Sequence, residues 1–193
     1  MNHRRAWMPD RPHSLQEIDI SVDVPYQQEL SEVWLRTVME AALVEALPQG
    51  EPAQVGLVVT DDETVRELNR RFRGLDEVTD VLSFSASHSG HWAGEIQEAR
   101  QEALEPEDTE AVPFALPLDE PSPLGEVIIS FPQTQRQAQE RNCPAEQELA
   151  LLIVHGVLHL VGYDHMEPGD EAQMQAKERS ALAAVSQIEA GIE

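Results

Sequence analysis

The chain has 193 residues, 41% of them hydrophobic, a size that suits one well-buried core and makes a second domain unexpected. Its 13 basic and 36 acidic side chains give a formal net charge of −23, which argues against a general nucleic-acid binder and leaves room for one local basic site. Cys143 is the single cysteine, which excludes an internal disulfide and a cysteine-rich metal site, and no stretch reads as a membrane span or secretory leader, so a cytoplasmic protein with no membrane partner is expected.

Residues 1–16 carry two prolines and no periodicity, and are expected to form a disordered extension ahead of a single domain over 17–193. Ile18, Ile20, Val22 and Val24 alternate with polar residues and predict a half-buried strand that Pro25 ends. Over 30–47, Leu30, Val33, Trp34, Val38, Ala41, Ala42 and Val44 recur at helical spacing, and Pro48 and Gly50 stop the helix. Residues 54–60 predict a second strand. Thr60 is expected to cap the next helix, with Glu63 completing a capping box. That helix is expected to turn Val65, Leu68 and Phe72 inward and to end in Arg70, Arg71 and Arg73 before Gly74.

Residues 78–84 predict a third strand. Residues 85–123 lack pattern and are rich in acid and proline, which predicts a surface insertion. Residues 124–131 predict a fourth strand, and Pro132 opens a short helix ending near Asn142. Pro144 suits the first turn of a helix over 144–161 that is apolar on nearly every side from Leu149 onward. An amphipathic helix over 169–189, with Met174, Leu182, Val185 and Ile188 on its inner side, closes the chain. Together these elements predict an α+β single domain: a four-stranded mixed sheet with about five helices around the central apolar one.

That central helix carries the chemistry. His155 and His159 stand four residues apart, so both rings leave the same face. Two imidazoles in an apolar helix cost on the order of 1–3 kcal/mol each unless paired, and one metal ion would satisfy both. Gly162 stands where the helix should end in a left-handed turn, which allows the chain to double back and deliver His165. Three neutral nitrogens with a fourth position left to water describe a catalytic zinc site, whose water is acidified to a pKa of about 7. The spacing is that of the zinc proteases with the H-E-x-x-H-x-x-G-x-x-H motif, but the position of their general-base Glu is Gly156.

The segment His155–His165 resembles the H-G-x-L-H-L-x-G-Y-D-H signature of the YbeY family of single-domain zinc endoribonucleases. LNRRFRGLDEVTDVLSF (68–84) and GEVIIS (125–130) resemble two further stretches of that family, in the same order. The resemblance covers roughly residues 18–186. It implies a Zn²⁺ enzyme that cleaves single-stranded RNA, acts in maturing the 3′ end of small-subunit ribosomal RNA, and serves ribosome quality control. It places the three ligands on His155, His159 and His165, and a functionally important arginine on Arg73. Departures are Val78 in place of a usual Pro, Glu126 where Asp is commoner, the acidic stretch, and the N-terminal extension.

On this reading Arg73 grips the scissile phosphate bidentately, against the plain alternative of a helix-end cation. Asp164 is a candidate acceptor for a ligand imidazole, a turn-forming role being equally open. Ser83 and Phe84 are candidates to line the cleft, Tyr163 is expected to pack, Cys143 to fill space, and His88 and His91 to have no metal role. Two products are open: attack of an activated water on phosphorus leaves a 5′-phosphate, and proton removal from the ribose 2′-OH leaves a 2′,3′-cyclic phosphate. Two other functions are open as well, a zinc protease with its base elsewhere and a non-catalytic ribosome-associated factor that keeps zinc for stability. A ribosomal protein partner would supply the docking surface that a charge of −23 otherwise denies to RNA.

Overall fold

A computed structural model of the chain describes residues 16–49, 51–87, 121–163 and 168–190. Among these residues lie four strands and five α-helices, in the α+β arrangement expected: β1 (Gln16–Val22), α1 (Glu32–Ala46), β2 (Ala53–Thr60), α2 (Asp62–Arg73), β3 (Val81–Ser85), β4 (Ser122–Ser130), α3 (Phe131–Arg141), α4 (Ala145–Leu160) and α5 (Pro168–Ala190). The sheet order is β1-β2-β4-β3. β1 and β4 pair parallel with β2, and β3 runs antiparallel to β4. The expected N-terminal extension and most of the acidic insertion, with His88 and His91, lie outside the described residues.

One face of the sheet presents Val55, Leu57, Val59, Val127 and Ile129 to the main core, where they meet α1, α4 and the inner side of α5. Helix α4 crosses this core with Leu149, Ile153, Val154, Val157 and Leu158 fully buried, each worth about 1.5–3 kcal/mol in removed apolar surface. The other face presents Val58, Leu82, Phe84 and Ile128 to Val65 and Leu68 of α2, a much smaller cluster.

Several expected details move. Asp61, not Thr60, caps α2: its carboxylate accepts from the Thr64 N–H at 2.8 Å. Thr60 is the last residue of β2, where the second strand is expected to end, and it donates its hydroxyl to Asp23 at 2.6 Å. Phe72 is half exposed rather than inward, its ring edge-on to Phe84. In α1 the buried stripe is Leu35, Val38, Met39, Ala42 and Leu43, while Val33 and Val44 face outward. Ile188 of α5 is likewise exposed, and Met174, Ala181 and Val185 are the buried side of that helix.

The third strand begins at Val81 rather than Val78, because β4 stops at Ser130 to cap α3 and offers no further ladder. Residues 74–80 are instead held by side chains. Asn69 donates to the Glu77 carbonyl at 2.9 Å, and the Asp80 carboxylate accepts from the Val81 N–H and from Gln137. The edges of the expected insertion shift too, since Ser85 belongs to β3 and Ser122 and Pro123 to β4. Gly125 follows an irregularity in the β2–β4 register at φ 128°, where a Cβ would lie 1.9 Å from the Phe84 carbonyl oxygen. No described helix is long and apolar enough to cross a membrane.

Candidate metal centre and cleft

His155 and His159 leave α4 on one side, as their spacing requires, and both rings are partly buried. Their Nε2 atoms stand 3.0 Å apart with the rings nearly perpendicular. Behind them, Glu178 of α5 places Oε1 at 2.8 Å from His155 Nδ1, with its side chain only 14% exposed. A proton on Nδ1 shared with that carboxylate leaves the Nε2 lone pair of His155 turned toward His159. At 3.0 Å the two Nε2 atoms are within hydrogen-bond distance of each other, and Zn–N bonds of about 2.0–2.1 Å would also span such a gap. The donor set therefore fits zinc: two imidazoles, with a carboxylate fixing the tautomer of one. His165 and Asp164 lie outside the described residues, and among those described no group of three metal-binding side chains assembles.

The turn that leads to His165 forms as its glycine predicts. Gly162 sits at φ 90°, its N–H donates to His159 O at 3.1 Å, and Tyr163 N–H donates to Leu158 O at 3.1 Å. This crossed pair is the Schellman closure of a helix, and it satisfies two carbonyls of the last turn. Tyr163 packs against the core, with Lys177 Nζ 5.1 Å from its ring centroid.

Gly156 is explained by packing. A Cβ there would stand 2.6 Å from Val127 Cγ1 and 3.2 Å from Ser83 Oγ, so α4 lies directly on the sheet. Ser83 donates to Gly156 O at 3.2 Å and Ser85 to Leu160 O at 2.8 Å, which locks the histidine-bearing turns to β3. Position 156 points into the sheet, so a protease-type glutamate there would be buried against Val127.

Arg73 ends α2, where Gly74 adopts the left-handed conformation at φ 73° and donates to Arg70 O. The arginine shares with His155 a cleft of about 490 Å³, also lined by Asp80, Arg141, Glu171, Gln175 and Glu178. His155 and Arg73 thus reach one cleft from helices on opposite faces of the sheet. Phe84 faces the α2 side instead of the cleft, and Ser83 serves the helix–sheet lock. Cys143 is partly buried, its Sγ 3.9 Å from Glu148 Oε2. Neighbouring arginines of α2 are engaged on the surface, Arg70 with Glu67 at 2.6 Å and Arg66 with Asp76 at 2.7 Å, and each carboxylate partner raises the guanidinium pKa.

Glu178 and Arg141 escaped the reading of the sequence. Glu178 sits 23 residues from His155 on a helix whose repeat shows only amphipathicity. The one available signal was an acidic residue four positions from Met174, on the inner side of α5.

A profile described as endoribonuclease YbeY matches residues 17–186. The chain is 37% identical over 172 residues to a protein named endoribonuclease YbeY from Dehalococcoides mccartyi, covering 89% of this chain and 95% of that one. It is 37% identical to the protein of the same name from a Roseiflexus species, over 87% of this chain and 92% of the relative. A solution structure of a Thermotoga maritima protein superposes with a TM-score of 0.52 at 25% identity, covering 87% of this chain and 88% of that one.

Proposed function

Because the chain belongs to the endoribonuclease YbeY family, we propose that it is a zinc-dependent endoribonuclease that cuts single-stranded RNA in maturing the 3′ end of small-subunit ribosomal RNA, with a part in ribosome quality control. The observation that carries the reading is the approach of His155 and His159 Nε2 to 3.0 Å, with His155 lining a cleft that Arg73 also lines. His155 and His159 would hold the metal, with His165 as third ligand by its place in the motif. Zinc, when bound, supplies a Lewis acid and a more acidic water at neutral pH.

The chain's own groups do the rest. Glu178 holds the Nδ1 proton of His155 and so fixes which nitrogen faces the cleft. Arg73 places a permanently charged fork where the phosphodiester would lie, and offsets the charge that grows on its oxygens as the bond breaks. The helix–sheet lock through Ser83 and Ser85 keeps the histidine-bearing turns of α4 rigid. The protease reading is weakened by the burial of position 156. The ribosome-associated reading adds a partner without changing the site.

The test is cleavage of a short single-stranded RNA carrying the 3′ end of small-subunit ribosomal RNA, by wild-type, His159→Ala and Arg73→Ala proteins with zinc content measured in each. His159→Ala should lose zinc and cleavage together. Arg73→Ala should keep zinc and lose roughly 10²–10³ in turnover. Equal cleavage by all three would trace the activity to a contaminant. No cleavage by a zinc-loaded wild type would favour the non-catalytic ribosome factor. End-group analysis of the cut strand separates the 5′-phosphate product from the cyclic phosphate.

A further inference from the structure

We infer that Arg141, pinned by the buried carboxylate of Glu148, is a second phosphate anchor that binds a phosphodiester of the RNA strand beside the one cut. The inference rests on the endoribonuclease reading and adds a binding residue to it. Arg141 is the last residue of α3 and Glu148 lies in the first turn of α4, so the pair bridges the two helices, and Arg141 lines the cleft. Glu148 is 2% exposed, yet its partner's side chain is 55% exposed. Both carboxylate oxygens accept from the same guanidinium nitrogen, Nη1, at 2.8 and 3.0 Å.

That geometry is uneconomical if stability alone is the purpose. A buried carboxylate costs several kcal/mol of desolvation, and apolar residues of similar volume are often as stable or more so. An end-on pair through one nitrogen also forgoes the two parallel bonds that make arginine–carboxylate pairs strong. What the pair does achieve is a fixed cation on the cleft wall, with Nε and Nη2 unused by Glu148. Phosphate oxygens match a guanidinium edge of this kind bidentately.

The charge of the cleft points the same way. Among the described residues, Arg141 and Arg73 are the two guanidiniums lining it, against the carboxylates of Asp80, Glu171 and Glu178. Each of those acids is already engaged: Asp80 by the Val81 N–H and Gln137, Glu171 by Gln175, and Glu178 by His155. In a chain of net charge −23, one arginine facing three carboxylates would make a poor seat for a polyanion. A second fixed cation moves the balance toward RNA.

The test compares kcat and KM for single-stranded RNA across a salt series, using the zinc-loaded full chain. The proteins are wild type, Arg141→Gln, the double variant Arg141→Gln with Glu148→Gln, and Arg136→Gln. The double variant replaces the ion pair by two amides, so it guards against misfolding caused by an unpaired buried carboxylate. Arg136, paired with Asp62 outside the cleft, controls for loss of one positive charge. KM should rise about tenfold or more in both Arg141 variants with kcat little changed. The slope of log KM against log salt should fall by about 0.7, the value of one phosphate contact on a single strand. Arg136→Gln should match wild type in KM. A double variant with wild-type KM and salt slope overturns the inference, as does a fall in kcat at constant KM or an equal effect from Arg136→Gln. A wild type that cuts no RNA sinks the endoribonuclease reading itself, a result distinct from a wild type that cuts and variants that bind as well.

Discussion

The two faces of the sheet are built on different terms. The α4 face is deep: three helices stack over Val55, Leu57, Val59, Val127 and Ile129, and the histidines emerge from a helix buried largely among apolar side chains. The α2 face is thin: Val65 is fully buried and Asn69 nearly so, while arginines and carboxylates pair across its outer side. Yet the cleft draws from both, His155 from the deep face and Arg73 from the end of the thin one. A rigid core fixes the two histidines, as proposed metal donors would require. A long, charged side chain reaching from the thin side keeps the freedom to adjust that its proposed role on a phosphodiester would use.

Crowding the deep face should cost most. Gly156→Val would drive its side chain into Val127, whose Cγ1 lies 2.6 Å from where the Cβ must go. Overpacking of this kind costs about 1–3 kcal/mol, so the melting temperature should fall by roughly 6–12 °C at the upper end. Val127→Ala in the same chain should restore part of the loss by making room. If the single variant melts with wild type, α4 does not press on β4 as closely as the structure has it, and the distinction between the faces weakens.

Next in size is the carboxylate behind the metal site. Glu178→Ala leaves His155 Nδ1 without its 2.8 Å partner, and zinc affinity should fall about 10–100-fold. Glu178→Gln keeps an acceptor oxygen without the charge and should lie between the two. Competition against a zinc-binding dye reads this directly, with no need for RNA. An unchanged affinity in Glu178→Ala would mean that α4 alone orients the ring.

These two positions also mark how far the sequence could be read. The i, i+4 histidines and Gly162 announced two rings on one side of a helix and the helix's end, because side-chain spacing and left-handed turns are local properties. Gly156 was legible as a departure from the protease pattern, but its cause lies in Val127 and Ser83, which only the folded sheet brings near. Glu178 and Glu148 are acids on helices, and nothing local distinguishes an acid that meets a histidine or an arginine from one that meets water. The same limit misplaced the α2 cap. Thr60 and Asp61 are both good caps, and it is Asp23, distant in sequence, that takes the Thr60 hydroxyl and leaves the cap to Asp61. In α1, a stripe through Val33 and Val44 was as periodic as the true one through Leu35 and Met39, and only packing against α4 and α5 separates them.

The thin face should answer most weakly, and through charge. Asp61 accepts from the Thr64 N–H at 2.8 Å, and that backbone hydrogen bond holds its carboxyl below the usual value. A depressed folded pKa means stability that is present above the unfolded value of about 3.9 and is lost as pH falls through the folded one. At pH 7, Asp61→Ala should cost about 1 kcal/mol, the ordinary worth of a cap, or roughly 2–4 °C in melting temperature. Asp61→Asn keeps an acceptor and should stay within a few tenths of a kcal/mol of wild type. At pH 3 the gap between wild type and Asp61→Ala should narrow, because protonation weakens the native cap while alanine has none to lose. Melting curves of the three proteins at both pH values decide this, and an equal gap at pH 3 and pH 7 would show that the carboxylate charge contributes nothing there. Since Arg73 is held at the opposite end of the helix by the Gly74 turn, RNA cleavage at pH 7 should be the same in all three. A fall in turnover with Asp61→Ala would mean instead that the thin face transmits its fraying along α2 into the cleft.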